Sequence, residues 1–499
     1  MNASAEKKPP YLMIAILFFG AFISLLNNSL LNVALPTMMS DLNIENYSTI
    51  QWLATGYMLV SGILIPASGF LLTRFTNRSL YITAMSLFTL GTAVAAVAPN
   101  FGMLLTGRMI QAAGSSVMAP LLMNIMLISF PRERRGTVMG VFGLVMVTAP
   151  AIGPTLSGYI VQYYDWRFLF EMILPFAVLD LILAIWKLKN VMQTRETHLD
   201  SLSVVLSVIG FGGLLYGCSS ASTAGWGHPA VIGTIIAGVI ALIFFVNRQL
   251  KLNDPLLDLR VYQYPMFTLS SVIAVVISAS MFSGMILTPA YVQNVRGISP
   301  LDSGLLMLPG ALIMGIMSPI TGRLFDKFGP RILALTGLTI TCASTYLLSL
   351  LQVDTPYFHI MSIYAMRMFG MSMVMMPIMT NGLNQLPTRL NPHGTAINNT
   401  VQQVAGSIGT AIFVTIMNSH AKTSAEEMMS GLNPAELGQE QLLHIAQMSL
   451  LKGIQFSFLV ATGVTAVALI LSLFLKRVDV SAEAVAKLEQ DYQAVPKSN

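Results

Sequence analysis

The chain has 499 residues, 54% of them apolar and only 10% charged, with a mean hydropathy of +0.69. That excludes a water-soluble globular protein, because apolar stretches long enough to cross a bilayer recur along the whole length. The formal charge of +5 is dispersed over short loops, which excludes a nucleic-acid-binding patch.

Taken in chain order, the hydropathy pattern predicts about fourteen spans. They lie near 11–35, 49–72, 79–98, 104–127, 136–161, 167–186, 201–219, 229–247, 266–290, 303–322, 331–351, 357–380, 396–417 and 453–475. The apolar run after Lys7 and Lys8 is too long for the core of a cleavable signal and lacks a small-residue cleavage site, so it reads as the first span. Basic residues mark every second loop. After Lys7 and Lys8 come Arg74/Arg78, Arg132/Arg134/Arg135, Lys187/Lys189/Arg195, Arg248/Lys251/Arg260, Arg323/Lys327/Arg331 and Arg389, then Lys476 and Arg477. The opposite loops hold Arg167, Arg296, Lys422 and Lys452. This bias places both termini in the cytoplasm and requires an even number of spans. Residues 418–452, with Glu426, Glu427, Glu436 and Glu440, form a long, polar, partly helical outer connector.

The fifth span carries the clearest pattern, GVFGLVMVTAPAIGPTLSG from Gly140 to Gly158. Ala149, Gly153 and Ser157 share one stripe, and Pro150, Pro154 and Gly158 share the next. Small residues at this spacing mark close helix contact in lipid, where no hydrophobic drive brings helices together. Proline in a spanning helix bends it and frees a carbonyl. A helix of this kind suits a protein that changes shape.

Internal similarity adds a symmetry. GRMIQAAGSS puts Arg108 inside the fourth span, and YAMRMFGMSM puts Arg367 at similar depth in the twelfth, with Pro120 and Pro377 following. GFLLTRFTNRSL (69–80) echoes GRLFDKFGPRIL (322–333). An offset of eight spans implies a first six-span half over 1–190, two inserted spans over 191–260, a second half over 261–480 and a tail over 481–499. Duplicated halves around a central site are a transporter architecture.

With these motifs in place, the chain resembles the major facilitator superfamily, and within it the fourteen-span drug:proton antiporters that include bacterial lincomycin-resistance and multidrug efflux permeases. The resemblance covers essentially the whole chain. GRLFDKFGPR (322–331), with Gly322, Arg323, Asp326, Gly329 and Arg331, is close to the superfamily's loop motif. RMIQAAGSS (108–116), including Gln111, matches the fourth-helix arginine motif, with Ala112 where glycine is usual. The fifth span is similar to the antiporter motif: Gly140, Gly153, Pro154 and Gly158 are in place, and Ala149 and Ser157 stand for two glycines. LLNVALP (30–36) and NPHGTAINNTVQQVAGSIG (391–409) look like further signatures of the branch. Two departures stand out. Asn27 occupies the place of an aspartate common in the first helix, and Thr73 occupies the place of the loop aspartate in the first half.

A charge inside a span costs a few kcal/mol even on lenient scales, so each needs a reason. The resemblance implies that Arg108 faces a central cavity, where it tunes a carboxylate or binds an anionic group; Arg367 is its counterpart. Two acidic residues lie clearly within spans, Glu171 and Asp180, both in the sixth. Nine residues apart, they face opposite ways. Glu171 follows Arg167 by four, an ion-pair spacing. Asp180 has no in-register basic partner, which makes it a candidate proton carrier. Ser24, Asn28 and Asn32 form a polar stripe in the first span, with Asn27 beside it; it serves a substrate or glues helices. Asn399, Gln402, Gln403 and Gly406 in the thirteenth span read as interhelical contacts. Seven methionines in the twelfth, from Met366 to Met379, suit a surface that accepts many apolar shapes or simply face lipid. Asp326, among the cations of its turn, reads as a conformational latch.

These observations together predict an all-α polytopic protein of the cell membrane. It expels lipophilic or amphipathic compounds in exchange for protons and works as a monomer, with no cofactor, metal, nucleotide or nucleic acid. The alternative is a uniporter or importer of the same fold without proton coupling. An enzyme is disfavoured. The six histidines (His198, His228, His359, His393, His420, His444) lie singly in loops or at span ends, and no metal or nucleotide motif appears. Cys218 and Cys342, in different apolar stretches, imply neither disulfide nor metal.

Overall fold

The computed structural model describes residues 11–44, 47–192, 194, 199–430 and 438–494. Lys7, Lys8, Arg195, His198 and Glu436 lie outside the described residues, as does the side chain of Asn32 within the first helix. Fourteen helical segments among the described residues are long and apolar enough to cross a membrane.

The first eleven spans are α1 (Tyr11–Asp41), α2 (Trp52–Arg74), α3 (Asn77–Ala96), α4 (Phe101–Ser129), α5 (Arg135–Tyr163), α6 (Phe168–Lys187), α7 (Ser201–Ala224), α8 (Pro229–Lys251), α9 (Pro265–Ala290), α10 (Pro300–Phe328) and α11 (Pro330–Leu348). The twelfth is split into α12 (Tyr357–Ser372) and α13 (Met375–Asn384); α14 (Asn391–Met429) and α15 (Gln439–Ser472) follow, and a helix α16 (Ala482–Ala494) closes the chain. Local sequence explains where many of them begin. Thr76, Asn100, Asp200 and Ser299 accept a backbone N–H in the first turns of α3, α4, α7 and α10. Proline opens α8, α9, α10 and α11, where its missing N–H costs nothing. Gly329 joins α10 to α11 at φ 80°, a backbone conformation that disfavours a side chain.

Three expectations are corrected here. The twelfth span is not one helix. Pro377 has no N–H for the Met373 carbonyl and its ring crowds that turn. The chain before it tightens, with Met373 and Val374 donating to Gly370 and Met371, both at 3.1 Å. The first span continues to Asp41, and the last starts at Gln439 rather than near 453. The polar outer segment is therefore largely two helical extensions. At 39 residues α14 is about 58 Å long, roughly twice the ~30 Å hydrocarbon thickness.

Packing follows the small-residue pattern. The most extensive helix contact is α5 on α10, and α14 on α2 forms a second contact between the first and last six spans. The inserted pair α7 and α8 pack on each other, and α7 lies against both α2 and α14. At the base of that pair Arg248 grips Asp200 with two hydrogen bonds of 2.6 and 2.7 Å. This guanidinium holds the Asp200 carboxyl well below the usual carboxylate range.

Candidate functional site

Helix α1 is common to the two buried polar constellations built around Asp180 and Arg108. Its residue Gly20 packs directly on a Tyr81–Asp180 pair, and a Cβ there would overlap the Tyr81 hydroxyl. Asp180, on α6, is fully buried; its Oδ2 lies 2.6 Å from the Tyr81 hydroxyl, which also reaches the Ile16 carbonyl at 3.2 Å. Asp180 Oδ1 has no hydrogen-bond partner, and Asp180 forms no ion pair among the described residues. Sequence reasoning picked Asp180 but not Tyr81 or Gly20, because three helices far apart in sequence meet there.

Eight residues further along α1, about 12 Å at 1.5 Å per residue, Asn28 meets Arg108 of α4. The guanidinium is fully buried. Its Nη2 donates to Asn28 Oδ1 at 3.0 Å, Nη1 to Gln111 Oε1 at 2.9 Å and Nε to the Leu53 carbonyl at 3.4 Å. It also lies over the Tyr57 ring at 4.3 Å, a cation–π contact. Gln111 in turn donates to Thr92 at 2.8 Å, and the Tyr57 hydroxyl is 2.5 Å from Ser115. Every acceptor in this set is neutral. Asn27, the sequence neighbour of Asn28 on α1, is buried with an unpartnered Nδ2, and Ser24 is buried about a turn earlier.

Arg367 on α12 is equally buried but differently held. It donates to Thr345 Oγ1 at 3.1 Å and to the Ser280 carbonyl at 2.5 Å, lies against Gly284 of α9, and leaves Nη1 without a partner. Arg108 and Arg367 thus share full burial, but only Arg108 is bonded by side-chain amides. Glu171 is exposed, and its expected ion pair is absent: Arg167 instead bonds Asp41 at 3.0 Å and Asp165 at 3.4 Å. The loop between α5 and α6 brings Trp166 onto Asp41 as well, at 2.9 Å. That convergence on the end of α1 outcompetes an in-helix partner.

The first stripe of α5 packs on α1, and the second borders a cavity between α1 and α10. Ala149, Gly153 and Ser157 meet α1: Ser29 Oγ is 3.4 Å from the Ala149 carbonyl, Ser157 Oγ donates to the Leu30 carbonyl at 2.5 Å, and a Cβ on Gly153 would overlap Ser29. Pro154 and Gly158 of the second stripe line a cavity of about 190 Å³ shared with Val33 of α1 and Leu301 and Gly304 of α10. Toward the opposite, basic end, the same pair of helices closes. Gly140 abuts the Ser318 and Pro319 backbone, and Gly136 and Gly322 meet backbone to backbone.

Asp326 seals that end. Its carboxylate accepts the Gly136 and Thr137 backbone N–H groups, both at 2.9 Å, and the Thr137 hydroxyl at 2.7 Å. It serves as a cap on α5 supplied by α10, so its partners are not the cations Lys327 and Arg331 of its own turn. Arg323 and Arg331 are exposed. Thr73, at the equivalent place in the last turn of α2, bonds only carbonyls of its own helix, at 2.8 and 3.3 Å. Arg132 and Arg135, read from sequence only as basic loop residues, also cross to the last six spans. They donate to the Asn384 carbonyl (2.8 Å), the Leu386 carbonyl (3.0 Å) and Asn384 Oδ1 (3.2 Å). Glu489 of α16 lies 3.8 Å from Arg132.

In the thirteenth span, Asn399 Nδ2 bonds the Thr395 carbonyl at 2.8 Å and approaches Met123 of α4, while Gln402 donates to the Met379 sulfur at 3.4 Å. Met368, Met371, Met376 and Met379 are buried, so they are not lipid-facing filler.

A bundle of spanning helices whose two groups close backbone to backbone at one end and enclose a cavity toward the other has the form of a membrane transporter. A family model for the Major Facilitator Superfamily matches residues 17–410, and the chain belongs to that superfamily. It is 51% identical over 418 residues to an uncharacterized MFS-type transporter, YhcA, of Bacillus subtilis, covering 83% of this chain and 78% of that one. It is 42% identical over 481 residues to the lincomycin resistance protein LmrB of Bacillus subtilis, covering 96% and 98%. The solved structure of the proton:xylose symporter XylE superposes with a TM-score of 0.62 over 96% of this chain and 99% of that one, at 14% identity, and shares the fold. The protein is a multi-pass transporter of the cell membrane.

Proposed function

We propose that this chain exports lipophilic or amphipathic compounds by alternating access, driven by inward proton movement. The basic end is cytoplasmic, so the conformation described above is closed toward the cytoplasm. The transporter works as a monomer of two six-span halves (1–190 and 261–480) around the inserted pair, with no bound cofactor. Similarity to a relative named for lincomycin resistance supports the substrate class.

The observation that carries proton coupling is the Tyr81–Asp180 pair. One hydroxyl hydrogen on Tyr81 can serve either Asp180 or the Ile16 carbonyl. With a proton on Asp180, the acid donates to Tyr81 and Tyr81 donates to Ile16. Without it, Tyr81 turns to the carboxylate. The pair therefore has a hydrogen-bonded arrangement in each protonation state, and no cation among the described residues fixes it in one. Gly20 covers it, so movement of α1 exposes or shields the acid. The same helix meets Arg108 through Asn28 and α5 through Ser29, which ties protonation to the sliding contact.

The test is transport in proteoliposomes under an imposed pH gradient. Wild type accumulates a lipophilic dye uphill, Asp180→Asn only equilibrates it, and Tyr81→Phe retains uphill movement at a reduced rate. Undiminished accumulation by Asp180→Asn removes Asp180 from the mechanism. A second reading, facilitated diffusion without proton coupling, is favoured by the amide at Asn27; it predicts that wild type itself only equilibrates the dye.

A further inference from the structure

The matching stretches 69–80 and 322–333 meet different surroundings in the fold. Gly322 abuts the Gly136 backbone, and Asp326, four residues on, caps α5. The counterpart contact joins α2 to α14, but Thr73 has no carboxylate and bonds only its own helix. The connection from α8 to α9 fills that place. A Cβ on Gly69, the counterpart of Gly322, would lie 3.1 Å from His393 Nδ1 on α14, 3.3 Å from the Leu256 carbonyl and 3.4 Å from Ala396 Cβ. The Asp258 backbone N–H donates to His393 Nδ1 at 3.2 Å. Leu256 and Leu257 are buried in the same apolar core as the first six spans, and the Leu257 N–H donates to Gln249 Oε1 of α8 at 3.2 Å. Gln249 in turn donates to Ser203 of α7 at 2.6 Å. The Asp258 carboxylate is taken by Arg260, whose backbone N–H and Nε lie 3.0 and 2.9 Å away, so it is the Asp258 backbone that reaches His393.

We propose that the 252–261 connection is a second latch at the basic end, through which the inserted pair of spans holds α14 against α2 by way of the Asp258–His393 bond. It stands where the first half lacks an equivalent of Asp326, and it gives the inserted pair a role in the transport cycle. The proposal rests on the reading that the basic end opens during transport. If α14 moves away from α2 and takes the imidazole with it, the buried Asp258 N–H loses its acceptor, a costly state. If the connection follows α14 instead, Leu256 leaves Gly69 and the Leu257 bond to Gln249 is strained. Either way opening is resisted. The tail adds to the hold just ahead of α14, where Glu489 accepts the Thr388 backbone N–H at 2.7 Å and its hydroxyl at 2.8 Å. The Asp258 bond uses only the Nδ1 lone pair, so another side chain that places an acceptor at that point preserves it.

The experiment is cysteine labelling of the full-length protein in membranes, with no substrate and no gradient. In a background lacking Cys218 and Cys342, Ala396→Cys puts a thiol on the fully buried face of α14 that meets Gly69. His393→Ala raises its rate of reaction with a membrane-permeant maleimide about five-fold or more, the scale of one lost buried hydrogen bond. His393→Asn stays near the parent rate, because the amide oxygen takes the position of Nδ1. Asp258 has φ −78°, which proline accepts. Asp258→Pro therefore removes the N–H and raises labelling, while Asp258→Ala keeps the N–H and does not. Unchanged labelling in His393→Ala overturns the proposal, as do equal rises in His393→Asn and His393→Ala or in Asp258→Ala and Asp258→Pro. Hydrogen exchange tests the wild type without any substitution: peptides over 252–261 exchange slowly, and exchange at the rate of an unstructured chain overturns the latch. Asp326→Asn on the same probe separates the latch from the reading it rests on. A rise there with none in His393→Ala removes the latch and leaves opening of the basic end intact, and a rise in neither removes both. Because no gradient is involved, the result is independent of proton coupling.

Discussion

Asp326 of α10 caps α5 through Thr137, receiving its backbone N–H at 2.9 Å and its hydroxyl at 2.7 Å. A helix end is thus satisfied by a carboxylate from the opposing group of helices, and separating the two leaves both the orphan N–H groups and the anion unanswered.

Asp326→Asn keeps the size of the side chain and removes the charge. It lowers stability of the closed form by about 1–3 kcal/mol and shifts the population toward the form open at the basic end. Ser318, buried at 2% exposure where α10 meets Gly140, reports this. In a background lacking Cys218 and Cys342, a Ser318→Cys probe is labelled faster by a membrane-permeant maleimide in Asp326→Asn than with Asp326 intact. Equal labelling rates remove the latch.

Gly153 and Ser29 form a lock between α5 and α1. Gly153→Ala places a methyl group onto Ser29, costs about 1–3 kcal/mol of packing strain and slows transport. Ser29→Gly makes room, so the double variant Gly153→Ala/Ser29→Gly recovers most of the lost rate. Additive losses in the double variant show that the two residues do not act through this contact.

The Asp200–Arg248 pair joins α7 to α8 and sets a pH dependence. A carboxylate whose folded pKa is depressed stabilises the fold above its unfolded value, and that contribution is lost as pH falls through the folded one. Asp200→Asn retains capping ability at the start of α7 but loses the ion pair. Its melting temperature therefore lies below that of wild type at pH 7, and the gap narrows below pH of about 4. A gap that stays constant down to pH 3 contradicts the assignment.

Much of this molecule is legible in its sequence. Span number follows from hydropathy, and the two stripes of α5 follow from residue size at helical spacing; one packs on α1 and the other borders the cavity between α1 and α10. What escapes is the partner of each charge. Arg167 and Glu171 have good spacing on one helix, but the turn before α6 brings Asp165 and Asp41 closer. Asp326 lies among cations in sequence, while the fold turns it to backbone N–H groups 189 and 190 residues away. Tyr81 carries no motif and is identified only when α1, α3 and α6 are seen to converge. The break between α12 and α13 was marked by Pro377, yet Pro120 and Pro154 sit inside uninterrupted helices, so proline alone does not locate it.

The central claim is proton-coupled export, and substrate-induced proton flux tests it most directly. Wild-type protein is reconstituted in vesicles enclosing a pH-sensitive dye, and a transported lipophilic compound is added outside with no initial pH gradient. The account predicts that its movement into the lumen drives protons outward, alkalinising the interior, and that a protonophore abolishes the signal. Movement of the compound at an unchanged internal pH contradicts antiport and leaves facilitated diffusion as the mechanism.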